Sequence, residues 1–223
     1  MVPPKLPLVL ASASPARLAT LLTAGVTPYV LVSDVDEDFV VAQAVSLYGE
    51  LTPEDVALVL ARAKCEAVAD RLSGESCPED APIGALVLGC DSVLELDGEL
   101  HGKPVDEAEA TTRWRRMRGR SGVLHTGHWL IDDREDSEGG TGATIGAVAS
   151  TTVHFAKVSD QEIAAYVATG EPLRVAGGFT IDGLGGPFIA GLEGDHHNVV
   201  GISLPLLREM LGEINVSWFQ LHY

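Results

Sequence analysis

Residues 97–104 read Asp-Gly-Glu-Leu-His-Gly-Lys-Pro. A Gly-Lys pair in a loop suggests a phosphate cradle. A P-loop, however, needs four residues between its glycines and a Ser or Thr after the lysine. Here three residues separate Gly98 from Gly102, and Pro104 replaces the metal-binding hydroxyl. Lys103 is therefore a cation in a loop corner that is no Walker motif. Close by in sequence, Asp91 lies deep in the apolar run LVLGCDSVLEL. A carboxylate is almost never buried unless it is paired or holds a metal; the other reading is a strand-end Asp facing solvent. A two-residue turn at Asp97-Gly98 pairs Leu96 with Glu99. Continued, that register sets Asp91 opposite Pro104 and Ser92 opposite Lys103, returning the lysine beside the acid.

Other residues with chemistry leave two readings each. Ser12, Ser14 and Arg17 in ASASPAR suit an anion at a helix N-terminus, and equally describe an ordinary capped helix with a surface arginine. Lys64 sits beside an apolar helix face, where it either reaches into a cleft or snorkels to water. The four acids of SDVDED (33–38) read as a solvated loop or as the source of a metal-binding carboxylate. GGFTIDGLGG (177–186) permits close backbone approach to a ligand, or is a plain turn. His196 and His197, read as extended, point opposite ways. His125 and His128 are three apart, which is not a strand-face spacing, so no zinc is assigned.

The elements that must position these residues are legible as patterns. LPLVLA (6–11) and YVLVSDV (29–35) read as strands. Between them Ser14-Pro15 opens a helix that closes at Gly25. Residues 52–72 form the clearest helix, opened by Thr52, Pro53 and Asp55. Residues 85–100 form a strand entering a hairpin, 106–119 a helix, and 123–131 and 143–158 strands. The acidic, Gly-rich loop at 132–142 is expected to be mobile. Ser159 and Glu162 make a capping box for the next helix, which closes at Gly170. A last helix starts near 203. Helices and strands mix, with at least two hairpins in the pattern, which predicts an α/β fold with a mixed sheet rather than a purely parallel one.

The chain of 223 residues is 46% hydrophobic, enough for one large domain or two lobes sharing a core. Its formal net charge of −17 disfavours nucleic-acid polymers, while leaving room for a small phosphate ligand in one cationic cleft. Three cysteines without a CxxC point away from a disulfide scaffold or structural zinc and toward a reducing cytoplasm. The N-terminal MVPPKLPLVLASASPA mimics a signal peptide, but its apolar run is too short. No run approaches membrane-spanning length.

In order, LASASPARLATLL, SDVDED, RAKCEAVA, GCDSVLELDGELHGKPVDEAEA, MRGRSGVLHTG and the stretch from YVATGEPL to SLPLL resemble the motifs of the Maf family of nucleoside triphosphate pyrophosphatases. The resemblance covers nearly the whole chain. It implies a single domain over 1–223, a mixed α/β fold with two lobes around a cleft, related to the inosine triphosphate pyrophosphatases. It implies hydrolysis of a nucleoside triphosphate to the monophosphate and pyrophosphate, with Asp91 as proton acceptor. Ser12, Ser14, Arg17, Glu37, Lys64 and Lys103 would line the phosphate and metal site, Glu37 and Asp91 would bind Mg²⁺ or Mn²⁺, and the protein would be a homodimer. Three positions depart from the motifs: Ala16 for the first arginine of SPRR, Gly122 for the histidine of SGRxH, and Asp182 where many members carry Gln. An ionised Asp only accepts hydrogen bonds, so Asp182 either shifts base preference from uracil and thymine toward guanine-type, methylated or broader substrates, or caps a turn. The rival functions are a septum-formation regulator without catalysis, a nucleotide-binding module that does not hydrolyse, and an inosine-triphosphate-type house-cleaning enzyme.

Overall fold

The computed structural model describes residues 5–222; the first four residues, which open the leader-like stretch, and Tyr223 lie outside the described residues. Strands β1 (Leu8–Ala11), β2 (Tyr29–Val30), β3 (Leu86–Leu96), β4 (Glu99–His101), β5 (Ser121–Asp132), β6 (Thr144–Phe155) and β7 (Ile189–Glu193) form a seven-stranded sheet. Its order is β2-β1-β3-β5-β6-β7, with β4 paired to β3. β1 runs parallel to β2 and β3, whereas β4 and β7 run antiparallel to β3 and β6. The sheet is mixed, as the pattern of hairpins and crossovers requires. No helix among the described residues is long and apolar enough to cross a membrane.

The chain divides into two compact units. Among the described residues the first comprises 5–91, 127–148 and 204–222; the second comprises Ser92–Thr126 and Ala149–Ser203.

In the first unit every residue of β1 is buried, as the unbroken apolar run LVLA demands of a strand covered on both faces. Helix α1 (Pro15–Thr23) starts where expected, with the Ser14 hydroxyl accepting from the Arg17 amide. Helix α3 (Pro53–Ser73) is opened by a full capping box between Thr52 and Asp55. It lies very close to the strands. A Cβ on Gly89 would stand 2.3 Å from the Ala61 carbonyl oxygen, and one on Gly127 2.3 Å from that of Ala57. Two small residues one turn apart on the helix, over two glycines in the strands, make this approach possible. Helix α7 is Leu204–Glu213. The acidic loop is tied at its base: buried Asp132 accepts from Arg134 Nε and Nη2 at 2.6 and 2.8 Å and from the Thr141 amide and hydroxyl at 2.9 and 2.7 Å.

Two expectations fail here. The strand predicted over 29–35 is only Tyr29–Val30. The acid cluster is half loop and half helix, because Asp36 accepts from the Phe39 amide at 3.0 Å and starts α2 (Glu37–Tyr48). Acidic side chains compete for backbone amides and so end a strand and open a helix. Of the α2 side chains only Ala44 is buried, so no apolar stripe announces the helix.

The second unit is built around Trp114 on α4 (Glu107–Met117), which meets Phe155, Tyr166 and Phe188 edge-on at centroid distances of 5.3–5.9 Å. Its indole N–H donates to the Gly178 carbonyl at 2.9 Å, the partner a buried tryptophan needs. The hairpin forms as predicted, pairing Leu96 with Glu99, with Asp97 and Gly98 both at positive φ. Helix α5 (Asp160–Val167) has the expected capping box. His196 and His197 are not extended: Asp195 caps a short helix, α6 (His196–Val200), and the His197 ring lies 3.1 Å from the Asp195 carboxylate.

Candidate active site

Within the first unit five of the residues singled out in the sequence come together. Lys64 does not snorkel. Its ammonium donates to Asp91 Oδ1 at 2.5 Å and to Glu37 Oε1 at 2.7 Å, and its side chain is 14% exposed. Gly89 is the reason Lys64 can do this: α3 rests on β3 at that point, two residues before Asp91. Arg17 is buried and donates through Nη1 to the Ser12 hydroxyl oxygen at 3.0 Å, which also accepts the Ser14 amide at 3.2 Å. The first strand-to-helix turn thus presents a buried cation and hydroxyls at the N-terminus of α1, the arrangement that favours anions.

Asp91 is buried. Burial pushes its carboxyl above the usual range, and the nearby Lys64 and Arg17 cations pull it back only in part. A carboxylate raised in this way is a better proton acceptor at neutral pH than an ordinary Asp. The neighbouring thiols are inert: burial pushes Cys90 up to about 12 and raises Cys65 as well.

Asp91 and Glu37 are hard oxygen donors brought to one lysine. Among the described residues no group of three or more His, Cys, Asp or Glu side chains gathers in a metal-holding arrangement. Two carboxylates still fit Mg²⁺ or Mn²⁺, which are commonly held by one or two acids together with substrate phosphates and water.

Lys103 and Asp182 belong to the second unit. The β3–β4 ladder ends at the pair Leu94–His101, so the continued register that set Lys103 opposite Ser92 does not form. Gly102 turns away because its carbonyl is taken by the Gly177 amide at 3.0 Å and by Arg113 Nη1 at 2.5 Å. Lys103 is left exposed at the corner. Asp182 is likewise exposed.

Sequence reasoning missed the residues that hold these two segments. Arg113 is buried and clamps the Gly102 corner; an arginine in a basic helix gives no such signal. Glu171 gathers the 180–185 loop. The histidine spacing also hid a network: buried His125 lies 2.8 Å from the Ser150 hydroxyl through Nδ1 and 3.1 Å from Glu95 through Nε2. Gly122, where a histidine was expected, packs so that a Cβ would stand 2.9 Å from the Glu95 carbonyl oxygen.

The model of the Maf-like protein family matches residues 7–214. The chain belongs to the Maf family. Its relatives include a protein of Salinispora tropica, 56% identical over 209 residues, covering 94% of this chain and 84% of the relative. Another, from Leifsonia xyli, is 51% identical over 214 residues, covering 96% and 95%. A third, from Streptomyces coelicolor, is 51% identical over 218 residues, covering 98% and 95%. All three are named nucleoside triphosphate pyrophosphatase. Among solved structures, that of the Staphylococcus aureus Ham1 protein overlaps 67% of this Maf chain and 72% of its own, at 15% identity and a TM-score of 0.36.

Proposed function

We propose that this Maf protein hydrolyses nucleoside triphosphates to the monophosphate and pyrophosphate, with Asp91 as the general base. The observation that carries the reading is the pairing of buried Asp91 and exposed Glu37 on the one Lys64 ammonium, beside Arg17 and Ser12. The relatives' shared name supports it. Water attacking the α-phosphorus loses a proton to Asp91 while the bond from that phosphorus to the bridging oxygen breaks and pyrophosphate leaves. Lys64, Arg17 and the amides opening α1 offset the charge that builds on the phosphate oxygens. A divalent cation, held by Asp91 and Glu37, would supply further charge neutralisation. Activity is therefore expected to vanish in EDTA and return with Mg²⁺; full activity in EDTA contradicts this part. The resemblance assigns Lys103 to the phosphates and Asp182 to the base, and the exposure of both side chains supports contact with a ligand.

The homodimer and the cytoplasm belong to the same reading. Phe39, Leu47 and Tyr48 on α2 expose 63–74% of their surface, an apolar set that pairing of two copies would cover. Sedimentation showing only monomer at micromolar concentration counts against the dimer. The three free cysteines suit a reducing compartment. Pyrophosphate release across a nucleotide panel separates this reading from a non-catalytic regulator, a nucleotide-binding module and an inosine-triphosphate-specific enzyme.

A further inference from the structure

In the second unit one carboxylate organises a whole loop. Glu171 Oε1 accepts from the Tyr166 hydroxyl at 2.9 Å, the Thr180 hydroxyl at 2.5 Å and the Gly185 amide at 3.1 Å. Its Oε2 accepts from the Leu184 amide at 3.1 Å. The Thr180 hydroxyl also accepts from the Gly185 amide at 3.2 Å, and the Thr180 amide donates to Tyr166 at 3.3 Å. Residues 180, 184 and 185 bracket Asp182, so the carboxylate closes the loop from both sides of it.

The glycines of this loop serve that closure. A Cβ on Gly183 would stand 2.7 Å from Glu171 Oε2, and one on Gly185 would stand 2.5 Å from the Tyr166 hydroxyl and 2.6 Å from the Thr180 carbonyl. The close backbone approach visible in the sequence as GLGG is thus an approach to Glu171. Burial pushes the Glu171 carboxyl up, but the hydrogen bonds from Thr180, Leu184, Tyr166 and Gly185 outweigh it and hold the group below its usual range. It is an acceptor only, as its four donors require.

Asp182 is not part of this closure. Among the described residues its carboxylate makes no hydrogen bond or ion pair, and it is exposed. The turn capping that was one reading of Asp182 is performed by Glu171 instead. What remains is an acidic side chain mounted on a loop whose backbone is tied by half-buried and exposed hydrogen bonds to Glu171, the arrangement expected of a recognition residue held in place by a second set of contacts.

We infer that Glu171 is a positioning residue for nucleobase selectivity: it fixes the 180–185 loop and so sets where the Asp182 carboxylate meets the base. This rests on Asp182 as the base-facing residue of the pyrophosphatase reading. A glutamine at 171 keeps the shape but offers one acceptor oxygen and an NH₂ donor that would face the backbone amide of Leu184 or the Gly185 cluster. The loop would then shift, while the Asp91 cluster keeps its own contacts.

The test compares kcat and KM for UTP, GTP and 7-methyl-GTP in the full-length protein and in Asp182→Asn, Glu171→Gln, Thr180→Val and Thr180→Ser. The expected result is that Asp182→Asn changes the ranking. Glu171→Gln and Thr180→Val should then move the GTP to UTP ratio in the same direction by about tenfold, mainly through KM. Thr180→Ser, which keeps the hydroxyl, should behave like the parent. If Glu171→Gln does not fold, the two Thr180 variants decide. If Asp182→Asn changes the ranking while Glu171→Gln and Thr180→Val do not, the inference about Glu171 is overturned and the reading of Asp182 stands. If Asp182→Asn leaves the ranking unchanged, both are overturned.

Discussion

The two compact units hold their candidate site residues in opposite ways. In the first, Ser12, Arg17, Lys64 and Asp91 are mostly buried, and each is fixed by a bond to another member of the set or to Glu37. In the second, Lys103 and Asp182 are exposed, and it is the backbone on which each sits that is fixed, by Arg113 and Glu171. Buried mutual pairing shifts a proton affinity, which is what acid–base chemistry needs. A clamped backbone with an exposed side chain holds a contact ready while leaving its polar atoms for a ligand. The contrast teaches that substitutions in the first unit should act on turnover, and those in the second on binding and selectivity.

The sharpest way to break that contrast is at Asp91. Asp91→Asn keeps the shape and removes the proposed base, and kcat should fall by about 10²–10⁴. Near-normal turnover of a folded variant would remove Asp91 from catalysis. Lys64→Met is next. Loss of one cation from a preorganised site should lower kcat by about 10²–10³. It should also move the acid limb of the pH profile upward, because Lys64 is the main group lowering the Asp91 pKa. The sign follows from the base being active only when ionised: activity rises as pH climbs through the Asp91 value, which already lies above that of an ordinary Asp. Stability runs the other way. A raised folded pKa contributes stability that is full below the unfolded value and is lost as pH rises through the folded one. A Lys64→Met profile with an unmoved acid limb would show that the pair is not what tunes the acid.

Gly89→Ala sharpens the comparison through structure alone. A methyl group 2.3 Å from the Ala61 carbonyl oxygen forces α3 off β3, at a cost of about 1–3 kcal/mol, readable in chemical denaturation. Turnover should fall with it because Lys64 rides on that helix; full activity and stability would contradict the close-approach account. The smallest effect is at Asp182. Asp182→Gln should change the ratio of kcat/KM between GTP and UTP by about tenfold with kcat for the preferred nucleotide little altered. A large loss of kcat on every nucleotide would erase the division between the units.

Much of this was legible in the residues. The Thr52–Asp55 and Ser159–Glu162 boxes and the Asp97-Gly98 turn are local devices, complete within four residues, and each formed as the spacing demands. The buried Asp91 was legible because a charge in an apolar strand requires a partner. What the sequence hid depends on tertiary contact. Lys64 reads the same whether it snorkels or reaches inward, and only the Gly89 approach decides. α2 shows no stripe because nearly all its faces are exposed. Lys103 falls outside the expected register because the β3–β4 ladder stops at His101, after which the Gly177 amide and Arg113 capture the Gly102 carbonyl. Glu171 had no signal at all: its four donors come from residues 5 to 14 positions away.

The central claim is attack of water on the α-phosphorus, assisted by Asp91. Turnover of a nucleoside triphosphate in ¹⁸O-labelled water, with products resolved by mass spectrometry, tests it most directly. The account predicts nucleoside monophosphate carrying the label, with unlabelled pyrophosphate, and loss of both products in Asp91→Asn. Nucleoside diphosphate with orthophosphate, or label appearing in the pyrophosphate, would contradict it.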